Sequence, residues 1–246
     1  MPNTPAANTD TWLSADCQIC KGAGFIHPVI DGKPNYRDVV PCKCRVAKLE
    51  EDRRQFLLTS CKFPPKAEWM TFDKFKVNPE NKTGYTAAKK MADKPGDVRW
   101  LALLGNNGVG KTHLAVAICK AWVNAGIPAR YVFTSLLLDE LRSGYSSTDV
   151  ENSYDAKFSY YKNVPLLLLD DYGTESKTDW VQEKMDALVD YRLMNGLSLI
   201  VTSNKTLEEM PARIRSRLFR HKDSVVVVGG EDYELRGGIK TPPGDF

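Results

Sequence analysis

Residues 100–122 read WLALLGNNGVGKTHLAVAICKAW, and Gly105 to Thr112 match the pattern G-x-x-x-x-G-K-[ST] at every fixed position. An apolar run, a glycine-rich turn and a helical stretch follow one another, which is the context a phosphate-binding loop requires. Gly105, Gly108 and Gly110 let the backbone curl so that its N–H groups face an anion, and a helix starting at Lys111 adds its positive end. Lys111 is expected on the β and γ phosphates of a nucleotide and Thr112 on Mg²⁺, with Asn106, Asn107, Val109 and His113 completing the loop.

Downstream, apolar runs alternate with helical stretches. The runs are 100–105, RYVFTS (130–135), LLLLD (166–170), LSLIVTSN (197–204) and SVVVVG (224–229). Each is apolar without alternation, the pattern of strands buried on both faces of a parallel sheet. Helices are expected over 111–124, 136–145, 154–163, 180–195 and 207–220. The fold class is therefore α/β, a five-stranded parallel sheet between helices with right-handed crossovers.

LLLLDD ends a strand that is too apolar to bury carboxylates, so Asp170 and Asp171 emerge at its carboxyl edge, where open α/β sheets bind ligands. Asp170 is placed on Mg²⁺, and Asp171 as the group that orients or deprotonates an attacking water. Asn204 closes the 197–204 run, within reach of the γ phosphate, with Thr202 and Ser203 in support. In MPARIRSRLFRHK (210–222), Arg213 and Arg217 share one helical face, which Arg220 continues. Such a face is either solvated or supplies an arginine to the nucleotide site of a neighbouring subunit.

The stretches GNNGVGKTH, LLLLDDYGTES, VTSN and RIRSRL, in that order, resemble the AAA+ P-loop ATPases of the DnaC/DnaI helicase-loader and IstB transposition-helper group. FPPKAEWMTFDKF (63–75) is similar to the segment that precedes the core in that group, and the likeness covers about residues 61–236. The resemblance implies ATP with Mg²⁺ as cofactors and hydrolysis to ADP and phosphate, stimulated by DNA or a partner. It implies self-association through an arginine finger, with Arg217 as the finger and Arg213 beside it, and the absence of a C-terminal helical lid. Its partners would be a replicative hexameric helicase and single-stranded DNA. The chain departs from the group in its last strand: VVVVGGEDYELRGG places Glu234 after the tyrosine, leaving Arg236 as the substitute nucleotide sensor.

Before the core, Cys17-x₂-Cys20 and Cys42-x-Cys44 offer four thiolates at the ends of one loop, the ligand set of tetrahedral Zn²⁺, with Gly22 and Gly24 permitting the tight turn. CQICKGAG also matches one DnaJ-type repeat, but a single copy with a C-x-C partner is like the zinc knuckles on some helicase-loader-like ATPases. A redox C-x-x-C and unpaired structural thiols are the alternatives; His27 could replace one ligand but reads rather as a surface histidine, and Cys61 and Cys119 have no metal role. The expected divisions are a leader over 1–12, a zinc knuckle over 13–45, a helical linker over 46–68 and the ATPase domain over 69–246.

Candidate DNA contacts are Tyr145, Tyr154, Phe158, Tyr160 and Tyr161 interleaved with Arg142, Lys157 and Lys162, which equally fit a packed core, and Ser176 and Lys177 in the loop after the acid pair. The net charge of +3 on 246 residues is too small to announce a nucleic-acid partner by itself. No apolar run approaches the roughly 20 residues of a membrane span, and the polar start is unlike a secretory signal, so a cytoplasmic protein is expected. Three readings stand: a helicase loader, an IstB-like transposition helper, and a zinc-dependent binding module with a regulatory ATPase.

Overall fold

The computed structural model describes residues 17–175, 178–218 and 224–232. The chain divides into two compact units, Met1–Phe56 and Leu57–Phe246.

In the first unit, β1 (Phe25–Ile26) pairs antiparallel with β4 (Val40–Pro41), and β2 (Val29–Ile30) with β3 (Lys33–Pro34). Asp31 and Gly32, both at positive φ, turn the second hairpin as its right-handed twist demands. These strands have two residues each, too few to leave a periodic signal in the sequence. The helix α1 (Lys43–Ser60) begins within the second cysteine pair, and its Arg45 guanidinium lies 4.0 Å from the Phe25 ring centroid.

In the second unit two short 3₁₀ turns, Pro65–Trp69 and Phe72–Lys74, precede α2 (Lys82–Asp93). There follow β5 (Trp100–Leu104), α3 (Lys111–Asn124), β6 (Ala129–Phe133), α4 (Thr134–Gly144), α5 (Tyr154–Asn163), β7 (Leu166–Asp170), α6 (Asp179–Met194), β8 (Ser198–Ser203), α7 (Ala212–Leu218) and β9 (Val225–Val227). The strands form one parallel sheet in the order β6-β7-β8-β5-β9.

Strand periodicity divides the core in two. Leu101 and Leu103 of β5 face Met91 of α2 and Leu114 and Ile118 of α3, whereas Trp100, Ala102 and Leu104 face the layer holding Leu137, Phe158, Leu188 and Ile214. Full burial of each leucine contributes about 2 kcal/mol. A buried arginine ties the second layer to the sheet. Arg192 donates to the carbonyls of Tyr161 and Lys162 at the end of α5, and to those of Pro165 and Ser198 at the start of β7 and β8. Burial, with no acidic partner among the described residues, pulls its pKa down to about 9.

In the second unit two helix starts differ by two residues or more from the sequence expectation. Helix α7 starts at Ala212, not Leu207, because Pro211 disfavours helical backbone at Met210. Helix α4 starts at Thr134, inside the stretch read as strand, and the Thr134 hydroxyl donates to the Asp170 carbonyl at 3.1 Å. Among the described residues no helix is long and apolar enough to cross a membrane.

Candidate functional site

The loop between β5 and α3 is shaped by what lies around its glycines. Gly110 has φ +95° and a Cβ there would stand 2.6 Å from Phe75 Cε2, while one on Gly105 would stand 2.3 Å from the Val228 carbonyl oxygen. Both positions therefore exclude any other residue. Val109 plugs its side chain into the core, leaving only its backbone to the loop.

Lys111, 7% exposed, donates from Nζ to the Gly105 carbonyl at 2.9 Å, the Asn106 carbonyl at 2.6 Å and Asn204 Oδ1 at 2.7 Å. Burial lowers its pKa, against the attraction of Asp171 and Asp170. Asn204 uses the other end of its amide to donate from Nδ2 to Asp171 Oδ1 at 3.1 Å. Thr112 Oγ1 donates to Asp170 Oδ1 at 2.9 Å, and Thr202 Oγ1 donates to the same oxygen at 2.5 Å while accepting from the Asp171 N–H at 2.9 Å. Asp171 sits at φ +54°, a left-handed conformation that turns the chain sharply out of β7. Ser203 supports the edge by donating to the Tyr172 carbonyl at 2.6 Å. The structure thus brings Lys111, Thr112, Asp170, Asp171, Thr202 and Asn204 to one sheet edge. The hydroxyl of Thr112 and the carboxylate of Asp170 are hard oxygen donors, the kind Mg²⁺ takes alongside phosphate oxygens.

One contact of Asp170 is not readable from motifs. Tyr131 of β6, inside an apolar run, donates its hydroxyl to Asp170 Oδ2 at 2.8 Å.

His113 faces away from the loop. Its Nε2 lies 2.7 Å from the Thr71 carbonyl, and the rings of Trp69 and Phe75 meet it edge-on at 5.1 and 5.2 Å. Two turns on, Lys120 Nζ donates to the carbonyls of Ala67 and Glu68 at 2.6 and 2.8 Å. One face of α3 therefore straps residues 67–75, and Phe75 reaches Gly110 as part of that strap. The side chain of His113 belongs to this packing rather than to a nucleotide contact, because its ring is enclosed by Trp69 and Phe75.

Arg213 and Arg217 face α6. Arg213, 58% exposed, pairs with Asp186 at 3.4 Å and Asp190 at 3.1 Å. Arg217, 14% exposed, pairs with Asp190 and donates to the Arg213 carbonyl. Arg215 donates to the Glu208 carbonyl at 3.4 Å. Ser176, Lys177, Arg220, Glu234 and Arg236 lie outside the described residues.

The interleaved aromatics are largely packed. Phe158 and Tyr161 are buried in the core, and Tyr145 stacks on Tyr154 at 4.4 Å. Arg142 lies over Trp180 at 4.9 Å, and Tyr145 and Tyr160 remain exposed.

In the first unit the sulfurs of Cys17, Cys20, Cys42 and Cys44 all lie within 4.8 Å of one another. The Cys17–Cys42 and Cys20–Cys44 separations are 3.8 and 3.4 Å, near the roughly 3.8 Å edge of a tetrahedron with Zn–S bonds of about 2.3 Å. Backbone N–H groups of Cys20 and Ile19 draw Cys17 down to about 6, so it is a ready thiolate, and hydrogen bonding with Cys20 pushes Cys44 up to about 12. The donor set fits zinc. His27 Nδ1 lies 2.9 Å from the Asp38 carbonyl and is not in the cluster, and Cys61 and Cys119 are buried in the core of the other unit.

A parallel sheet with a glycine loop, an adjacent acid pair and an asparagine at its carboxyl edge defines an AAA+ P-loop ATP-binding protein. The family model for IstB-like ATP binding proteins matches residues 46–238, and the chain belongs to that family. The DnaC helicase loader superposes with a TM-score of 0.57 at 25% identity, covering 68% of this chain and 100% of that one. DnaI gives 0.57 at 25%, covering 70% and 94%. The chromosomal replication initiator DnaA of Bordetella petrii is 32% identical over 169 residues, 68% of this chain, which spans 34% of that protein's length.

Proposed function

We propose that the chain is an ATP-hydrolysing switch that places a replicative helicase on single-stranded DNA. The observation that carries the ATPase part is the bridge of Asn204 between Lys111 and Asp171, next to the Thr112–Asp170 pair. Lys111 exchanges its carbonyl partners for β and γ phosphate oxygens, and Asn204 moves with it. Asp171 accepts the proton of the attacking water, while Asn204 fixes the orientation of that carboxylate. Thr112 and Asp170 would hold Mg²⁺, directly or through water, and the ion would supply positive charge beside the phosphates.

The loader part rests on the fold shared with DnaC, named as a helicase loader, over the whole length of that chain. Arg213, the more exposed of the pair, and Arg217 are the candidates for a finger into a neighbouring subunit, which requires release from Asp186 and Asp190. The zinc knuckle carries the contact to the partner, and single-stranded DNA meets Tyr145, Tyr160 and the loop after the acid pair. On this reading the protein works in the cytoplasm, where cysteine thiols stay reduced.

A second reading, a helper that hands target DNA to a transposase, is favoured by the IstB-like family match itself. Purified protein mixed with the replicative helicase of its host, with ATP and without, separates the two when the mass of the eluting species is measured. An ATP-dependent complex supports the loader; no complex in either state rules it out and leaves the transposition helper.

A further inference from the structure

Asp170 is 1% exposed, and no basic side chain pairs with it among the described residues. An ionised carboxylate in such a place is held by hydrogen bonds, and its two oxygens offer about four lone-pair positions. Two are taken on Oδ1, by Thr112 and Thr202. On Oδ2 the hydroxyl of Tyr131 donates at 2.8 Å.

The three donors are not equivalent. Thr112 belongs to the phosphate loop, and as a metal ligand it turns its oxygen lone pair elsewhere. Thr202 is fixed at both ends, donating to Asp170 and accepting from the Asp171 N–H, so it holds Oδ1 whatever Thr112 does. Oδ2 depends on Tyr131. In the register of the sheet Tyr131 stands level with Leu168, two residues before Asp170 on the same face. A donor there must span two strand residues, about 6.6 Å, which a tyrosine does and a serine or threonine does not. The ring is clamped edge-on by Phe133 at 5.4 Å and tilted against Phe63 at 6.4 Å.

We propose that Tyr131 is a positioning residue for the metal-side acid: it pins Asp170 Oδ2, so that the carboxylate keeps one orientation when Thr112 leaves it for Mg²⁺. This rests on the reading that a Mg²⁺–nucleotide occupies the site, and it adds to it a residue on the neighbouring strand that no loop motif contains. A tyrosine serving only as core packing makes a different prediction, because Tyr131→Phe keeps the ring and removes only the hydroxyl.

The test uses the full chain, ADP as the probe and isothermal titration in excess Mg²⁺ and in EDTA. In Tyr131→Phe the enhancement of ADP affinity by Mg²⁺ is expected to fall about tenfold or more, as for other partners that orient metal ligands, while affinity in EDTA stays within about twofold. In an Asp170→Asn background the same change is expected to cause no further loss of enhancement, since the acceptor it serves is altered. An unchanged enhancement in Tyr131→Phe, a parallel fall in EDTA, or an equal further loss in the Asp170→Asn background overturns the proposal. A wild-type protein that binds ADP equally with and without Mg²⁺ overturns the metal reading beneath it, which is a different failure and is recognised before any variant is made.

Discussion

The Asn204 side chain accepts a 2.7 Å hydrogen bond from the Nζ of Lys111, a residue 93 positions earlier in the chain. The same amide donates to Asp171, so its orientation is set from both sides. Asn204→Ala is expected to lower the rate of ATP hydrolysis by about a hundredfold with nucleotide affinity changed only a fewfold, since it loosens the general base without removing a phosphate contact. Lys111→Ala is expected to lose nucleotide binding itself. Steady-state hydrolysis and fluorescent-nucleotide titration separate the two; equal loss of affinity in both variants would count against the assigned roles.

The arginine pair gives opposite signatures in stability and assembly. Arg213→Ala removes a mostly exposed contact and is expected to leave the monomer within about 1 kcal/mol of wild type, whereas Arg217→Ala removes the more buried of the two arginines that pair with Asp190 and costs more, about 1–3 kcal/mol in urea unfolding. If either arginine acts on a neighbour, that variant mixed with Lys111→Ala recovers hydrolysis at the mixed interface. Mixtures no more active than their components would exclude the finger.

The four-sulfur cluster is expected to hold one zinc per chain by elemental analysis. Structural zinc of this kind contributes on the order of 10 kcal/mol to its own fold, so Cys42→Ser or chelation should render residues 17–42 protease-sensitive. A protein purified without metal and equally resistant would remove the zinc reading.

Strapping by α3 predicts a local effect. His113→Ala is expected to raise amide exchange over Trp69–Phe75 by at least about tenfold while α2 and the sheet keep their protection. Uniform change across the chain would show that the histidine supports the fold as a whole.

Arg192→Ala removes a donor shared by four backbone carbonyls around α5, β7 and β8, of which Pro165 still accepts from the Ser198 N–H. A destabilisation of at least about 3 kcal/mol is expected in urea unfolding; a loss below about 1 kcal/mol would mean that water replaces the guanidinium.

The sheet was legible because its strands are apolar on both faces: 166–170 is strand over the stretch its four leucines mark, and the helices at 111–124 and 154–163 keep their expected bounds. The loop, the acid pair and Asn204 were legible because each ends such a strand, so parallel packing carries all of them to one edge. Tyr131 was not. Inside RYVFTS a tyrosine reads as core, and only the register with β7 aims its hydroxyl at Asp170. The inward pairing of Arg213 and Arg217 was equally hidden, since Asp186 and Asp190 look like ordinary surface acids of a helix that contacts α7 only in three dimensions. The strap escaped because FPPKAEWMTFDKF has no period, being held by carbonyl contacts to His113 and Lys120 rather than by its own pattern.

The backbone carbonyl of Val228 lies where a side chain on Gly105 would have to go, and the Val228 N–H donates to the Leu104 carbonyl. The wall behind the glycine loop is thus laid down by a strand that leaves the ribosome more than a hundred residues after the loop itself. A chain that ends at α7 already contains every side chain of the acid pair and the asparagine, yet its strand β5 still has one open edge. The wall behind Gly105 is therefore complete only once β9 has paired with β5, the last of the described strands in chain order.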